Sequence, residues 1–391
     1  MKHWLLLLLT AVPALAQPAR VGDGGWTFDE RRFDPRFPAM REWAKAGVEG
    51  GIPARSATPV RATLRPGDDL QPAIDRVAAG GGGVVLLTAG DFPIRQPVAL
   101  KSGVILRGES REGTRLLVLL KAPFFRFNGG KSAVAFAATD AERVGVENLT
   151  MEYAAVDFPP NDRAEANADW SPDVFHRPER RDTTVYVSLL IFTRCRNSWV
   201  DGCNLLRAGA HPLGLAQCQH LTLRDNRIDQ AYIKQDSRHG GYYGVWGSSY
   251  CLFFNESVSR IRHFALMLPG CRYNVVLNCH FEVDVNFHDR DDGDNLVEGC
   301  RIETPVWHSW AAVGVGSPRQ HGPPGRGNLF FNNFISSKGT PGFFHRGPRA
   351  APARTDAVYE VTHEFGQPAV QLFPTDSPPR GGTLYALRRI P

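Results

Sequence analysis

Ten polar side chains between residues 206 and 310 could move protons or hold an anion: His211, Lys234, Arg260, Arg262, His263, Asp284, Asn286, His288, Asp289 and His308. They are scattered in number, yet each falls in the segment that follows one of five short, similar stretches of chain. Histidine titrates near neutrality, so several along one surface line suit general acid and base work. Lys234 stands out because the chain otherwise prefers Arg; its other lysines are Lys2, Lys45, Lys101, Lys121, Lys131 and Lys338. Arg cannot readily release its proton, whereas a Lys beside other cations can be tuned downward into a base. Arg262 and His263 follow in the next segment. A base with a cation next to it is what β-elimination of a uronate requires: loss of the C5 proton, stabilisation of the carboxylate-enolate, and protonation of the departing O4. The expected catalytic set is therefore Lys234, Arg262, His263 and His288, with His211, Arg260, Asp284, Asn286, Asp289 and His308 around the substrate. Asp284 and Asp289 are also the best carboxyl pair for a hydrolysis, which needs two acids flanking the bond.

These groups can meet only if the stretches before them stack. The stretches are Ser198 to Leu205, Leu221 to Ile228, Cys251 to Val258, Asn274 to Phe281 and Asn295 to Ile302, with starts 23, 30, 23 and 21 residues apart. Val144 to Met151 and Asn328 to Ile335 fit the same template. Each is too short for a helix and alternates its apolar residues, so each reads as a strand. Repeats of this length stack as a parallel β-helix, in which no coil buries its apolar face alone. The cysteines check the register. Cys203, Cys279 and Cys300 share the sixth position, and Cys195, Cys218 and Cys271 lie three residues before a start. They read as a ladder of buried thiols, although rung spacing would also admit bridges between Cys195 and Cys218 or Cys279 and Cys300.

Around this repeat the chain divides into a leader (1–16), an N-terminal extension (17–66), the solenoid (67–340) with an insertion at 153–184, and a tail (341–391). Lys2 and His3 precede an apolar run, Trp4 to Val12, that is too short to span a bilayer, and Ala14-Leu-Ala16 supplies the small residues of a cleavage site after Ala16. Secretion to the periplasm or the medium is expected. No later run predicts a membrane span. Phe37 to Val48 predicts a short amphipathic helix packing on the solenoid, and Asp68 to Ala79 a helix capping its first coil. In the insertion, Trp170 could stack on a sugar ring, or the segment could be a loop held by its own aromatics. A net charge of +5 suits an anionic sugar polymer, and no feature points to nucleic acid.

Asp69-Leu-Gln-Pro-Ala-Ile-Asp75, Gly81-Gly-Gly-Val-Val-Leu-Leu87, Ala89-Gly-Asp-Phe92 and Lys101-Ser-Gly-Val-Ile-Leu-Arg-Gly108 resemble the opening of the pectate-lyase-like superfamily. The resemblance implies an all-β, right-handed parallel β-helix and a chain that acts on polysaccharide. It does not select among lyases, glycosidases, epimerases and tailspikes. Lys234 and Arg262 on neighbouring coils resemble the chondroitinase B and alginate lyase group, and Arg262-His263 its Arg-His-Gly motif, with Phe264 in place of Gly. The Asn-Lys-Ser setting of that group's lysine is missing. These residues favour a secreted enzyme cutting an acidic polysaccharide by elimination. A glycosidase using Asp284 and Asp289 and a non-catalytic sugar-binding β-helix are the rival readings. No cofactor is certain. Asp289-Arg-Asp-Asp-Gly-Asp-Asn295 offers the hard oxygen ligands of Ca2+, but its glycine is fifth where an EF-hand loop has it sixth, and 292–295 aligns with turns.

Overall fold

The computed structural model describes residues 20–122, 133–155, 184–232, 240–305, 308, 310–316, 321–337, 358–362, 371–376 and 378–390. The expected leader, Lys234 and Trp170 lie outside the described residues.

The repeat folds as a parallel β-helix whose three sheets, among the described residues, have 12, 9 and 8 strands, the first including two antiparallel strands of the tail. One coil runs through Leu252–Phe254 in the first sheet, Ser257–Ser259 in the second and His263–Met267 in the third. Each repeated stretch is thus two short strands rather than one. The break falls at the fifth position, where Gly202, Asp225, Asn255, Asn278 and Gly299 all take φ between 53° and 69°. Only Gly, Asn and Asp visit this left-handed region at small cost, and those are the residues present. Inward residues of all three sheets form one core cluster, to which Leu205, Leu223, Phe253, Phe264, Phe281 and Val297 belong.

All seven cysteines are free and buried. They share corner ladders with polar side chains: Cys203 N–H donates to Asn226 Oδ1 at 2.8 Å, and Cys279 N–H to Cys300 Sγ at 3.4 Å. Such ladders satisfy corner N–H groups that no strand partner reaches.

The helix Leu70–Ala79 buries Leu70, Ala73, Ile74 and Val77 against the first coil, as a cap should. The first sheet begins earlier than the sequence suggests, since Val60–Leu64 pairs in parallel with Gly83–Leu87. A shorter helix than expected, Met40–Trp43, puts Met40 and Trp43 on the outer face of that sheet, against Leu252, Val275 and Leu296. The tail does two things. Val358–Thr362 and Gln371–Asp376 extend the sheet at its far end, and Leu387–Arg389 returns to pair with Trp26–Phe28. No helix among the described residues is long and apolar enough to cross a membrane.

One core residue carries a testable cost. Glu256 sits at a corner inside the solenoid, taking hydrogen bonds from the Asn226 amide and, at 3.1 Å, the Tyr243 hydroxyl. Burial pushes its carboxyl up to about 8 against these opposing donors. An unfolded glutamate titrates near about 4.3, so between about pH 4.3 and about 8 the folded chain binds a proton that the unfolded chain has released. Stability therefore falls as pH rises through that window. Glu256→Gln should melt several degrees higher than wild type at about pH 8.5, with a flatter melting-temperature profile from pH 5 to 9 by scanning fluorimetry. Coincident profiles for the two proteins would show that the carboxyl is not raised.

Candidate active site

The third sheet has alternate residues facing out, and its register sorts them into columns along the solenoid. The middle column is Gly214, Gly244, Ala265, Asn286 and Gly314. Four of these five residues are Gly or Ala, which leaves room above the sheet for a second layer of side chains. Tyr242 and His263 pair across rungs on one side. Trp246 and Met267 pair on the other, and His288 follows Phe287 one rung on.

Within this layer Asp284 is the hub. It is fully buried and accepts from His263 Nδ1 at 2.8 Å, His308 Nε2 at 2.8 Å and Asn286 Nδ2 at 2.7 Å. Burial alone would raise its carboxyl, yet the charge and hydrogen bond of His263, with a second from His308, hold it far below the usual carboxylate range. Two branches leave the hub. Along the first, Arg262 Nε donates to His263 Nε2 at 3.1 Å, so His263 carries its proton on Nδ1. Burial pushes His263 down to about 4, Asp284 opposing, and it is a neutral imidazole. Arg262 is then fixed with its guanidinium carbon 5.2 Å from the Tyr242 ring centre and 5.1 Å from that of Trp310. Its Nη1 is buried and has no hydrogen-bond partner among the described residues.

Along the second branch, the bond to Asp284 fixes which way the Asn286 amide points. Its Oδ1 therefore faces His288 Nδ1 at 3.2 Å and must accept a hydrogen bond from the Nδ1–H. His288 is left with a lone pair on Nε2. Burial, then the charges of His263, His321 and Arg262, hold it well below the ordinary histidine value, so it is neutral and basic. Its ring lies 5.6 Å from Tyr242 and 4.5 Å from His321. On the other side of Tyr242, His211 Nδ1 accepts the Tyr242 backbone N–H at 3.2 Å, which places the His211 proton on Nε2.

Seven of the residues expected from the sequence thus come together: His211, Arg262, His263, Asp284, Asn286, His288 and His308. Arg260 does not join them; it turns to Asp229, whose carboxylate also takes the Ser259 hydroxyl. Asp289 pairs with Arg290 and the Gly322 N–H. His263 was expected along a surface line but is fully covered, with Trp310 edge-on at 4.5 Å. Sequence reasoning missed Tyr242, Trp246, Trp310 and His321.

His263, Asp284 and His308 also have the ligand atoms to hold a transition metal. A metal on His263 Nδ1 would move its proton to Nε2, where Arg262 already donates. The donor set fits a hydrogen-bonded relay better than a coordination shell. The acidic run near 291 does not converge: Asp291 takes Asn328 and the Gly293 N–H, Asp292 the Gly270 N–H, and Asp294 pairs with Arg272.

No protein-family model matches this chain, and no curated protein matches its sequence. Among solved structures it is similar to the A-module of the mannuronan C-5 epimerase AlgE6 from Azotobacter vinelandii, at 15% identity over 70% of this chain and 72% of that one, with a TM-score of 0.41. It is similar also to PfbA, a surface adhesin of Streptococcus pneumoniae, at 12% identity over 71% and 77% with a TM-score of 0.47. A third is the pectin methylesterase PemA from Erwinia chrysanthemi, at 13% identity over 73% and 91% with a TM-score of 0.37. The parallel β-helix that the sequence repeat predicts is given by the strand register itself. The neighbours include an adhesin as well as enzymes, and none assigns a reaction to this chain.

Proposed function

We propose that this chain is a secreted enzyme that cleaves an acidic, uronate-containing polysaccharide by β-elimination on the outer face of its third sheet. The observation that carries the reading is the forked relay from Asp284. One branch holds a cation with an unused donor, and the other holds a neutral imidazole with an unused lone pair, both against Tyr242. In this reading Arg262 takes the uronate carboxylate and stabilises the negative charge that spreads into it as the C5 proton leaves. His288 Nε2 removes that proton, the C4–O4 bond breaks, and its electrons leave with O4 as the C5 pair forms the C4=C5 double bond. O4 takes a proton from the Tyr242 phenol, and the protonated His288 restores it. His211, neutral with its proton on Nε2, donates a hydrogen bond to a sugar oxygen rather than a proton. His263 acts through Arg262 and is a positioning residue. Lys234, on the segment joining Tyr232 to Gly240, is the rival base.

A glycosidase built on Asp284 is disfavoured because both of its oxygens are engaged and the group is covered. An epimerase would share the first step and return the proton to the opposite face of C5. The deciding experiment is a screen of alginate, polygalacturonate, chondroitin and hyaluronate, read both by ultraviolet absorbance of the conjugated product and by new reducing ends. Elimination gives both signals; hydrolysis gives reducing ends alone, epimerisation neither. Arg262→Ala should lower kcat/KM by about 100-fold or more, the loss typical of one charge-stabilising donor. Reducing ends without absorbance would sink the reading.

A further inference from the structure

We propose that Trp246, with Met267 beside it, is a stacking platform for a sugar ring of the same glycan, two rungs from His288; this rests on the reading above. The platform is built into the sheet. A Cβ at Gly214 or at Gly244 would come within 2.2 Å of the Trp246 ring, so the indole lies on bare backbone. His211 meets it edge-on, with centroids 5.2 Å apart and planes at 78°. The backbone gives the ring a rigid seat, while Trp246 and Met267 both stay partly exposed. A tryptophan packed only for stability would gain by burying both faces, at roughly 25 cal/mol for each Å² removed from water. Here one face is seated and surface is left to solvent beside the reacting groups, which suits the apolar C–H face of a pyranose.

The register sets the distance. Trp246, Met267 and His288 occupy successive rungs, so with about 4.8 Å per rung the platform lies about 10 Å along the solenoid from the base. A glycan chain lying along the columns would place one sugar at His288 and another, further along the same chain, on Trp246. The platform thus grips a non-reacting part of the substrate, and its contribution belongs in KM for long oligomers rather than in kcat.

The test compares wild type, Trp246→Ala and Trp246→Phe on size-fractionated oligomers of whichever screened polymer is cleaved, together with calorimetric binding of uncleaved alginate and polygalacturonate oligomers. Trp246→Ala should raise KM for long oligomers about 10-fold, the equivalent of about 1.4 kcal/mol. Its kcat, and its kinetics on the shortest cleavable oligomer, should stay within about twofold, and Trp246→Phe should recover most of the affinity. An unchanged KM on long oligomers, or a loss equal for short and long ones, overturns the platform and leaves elimination standing. Binding that Trp246→Ala weakens, without turnover by wild type, keeps the platform and removes the elimination. Absence of both binding and turnover removes both.

Discussion

His288→Ala should lower kcat by about 100- to 10,000-fold, the range for loss of a positioned general base, while circular dichroism and melting show an intact β-helix. The expectation follows from the tautomer. Asn286 is held by Asp284, so it accepts from His288 Nδ1 and leaves Nε2 as the basic atom. The pH profile separates His288 from Lys234. Burial and neighbouring cations hold the His288 imidazole well below its ordinary value, so its basic form persists at pH values below about 6.5, and the acid limb of kcat/KM should lie below that point. A lysine base works the other way. It must lose a proton from a group that normally titrates near about 10.4, and its acid limb would sit higher. Lys234→Ala should retain turnover if His288 is the base; its complete loss, with wild-type turnover in His288→Ala, would reverse the two roles.

The solenoid was legible because its repeat recurs in the first two sheets, where Cys203, Cys279 and Cys300 share one position and Gly or Asn marks most of the sharp corners. The third sheet was not legible as a repeat. In the five coils that carry the site its strands begin at 213, 242, 263, 285 and 313, between 11 and 21 residues after the start of the repeated stretch, so no fixed position marks them. Tyr242 and Trp246 lie on the strand with the largest of these offsets, and they escaped. A signal was present: Leu213-Gly-Leu215, Tyr243-Gly-Val245 and Val313-Gly-Val315 each put a glycine between two inward apolar residues. Read together, they mark a strip of sheet without side chains, which a β-helix has reason to keep where something must lie against it. The acids and histidines were found, but their burial was not foreseeable. His263 alternates with Phe264 as any outward residue would, and Trp310 and His308, from two coils further on, join Tyr242 and His288 in covering it.

Asp284→Asn should be the most damaging single change, in stability and in turnover together. The carboxylate receives three donors, from His263, His308 and Asn286, and an amide can accept at only one of its two heavy atoms. Its NH2 would face a donor in a site without water contact, and each buried donor left unsatisfied costs about 1–3 kcal/mol. A lower midpoint of denaturant unfolding with an unchanged slope should report this. Turnover should fall even where the variant is folded, because Asn286 is freed to flip, offers His288 a donor, and moves the histidine's proton onto Nε2. The pH dependence of wild-type stability follows from the same cluster. His263 is lowered to about 4, so the unfolded chain binds more protons between about pH 6.5 and about 4, and stability is lost as pH falls through that window. Asp284 is depressed, so its own contribution persists above about pH 3.8 and fades only below it. Acid unfolding should accordingly begin with His263 and His288, both lowered imidazoles, and His263→Gln should make the upper part of the acid limb shallower while the lower part remains. If Asp284→Asn unfolds and turns over like wild type, the relay does not orient this site, and neither the position of Arg262 nor the tautomer of His288 would then depend on the buried carboxylate.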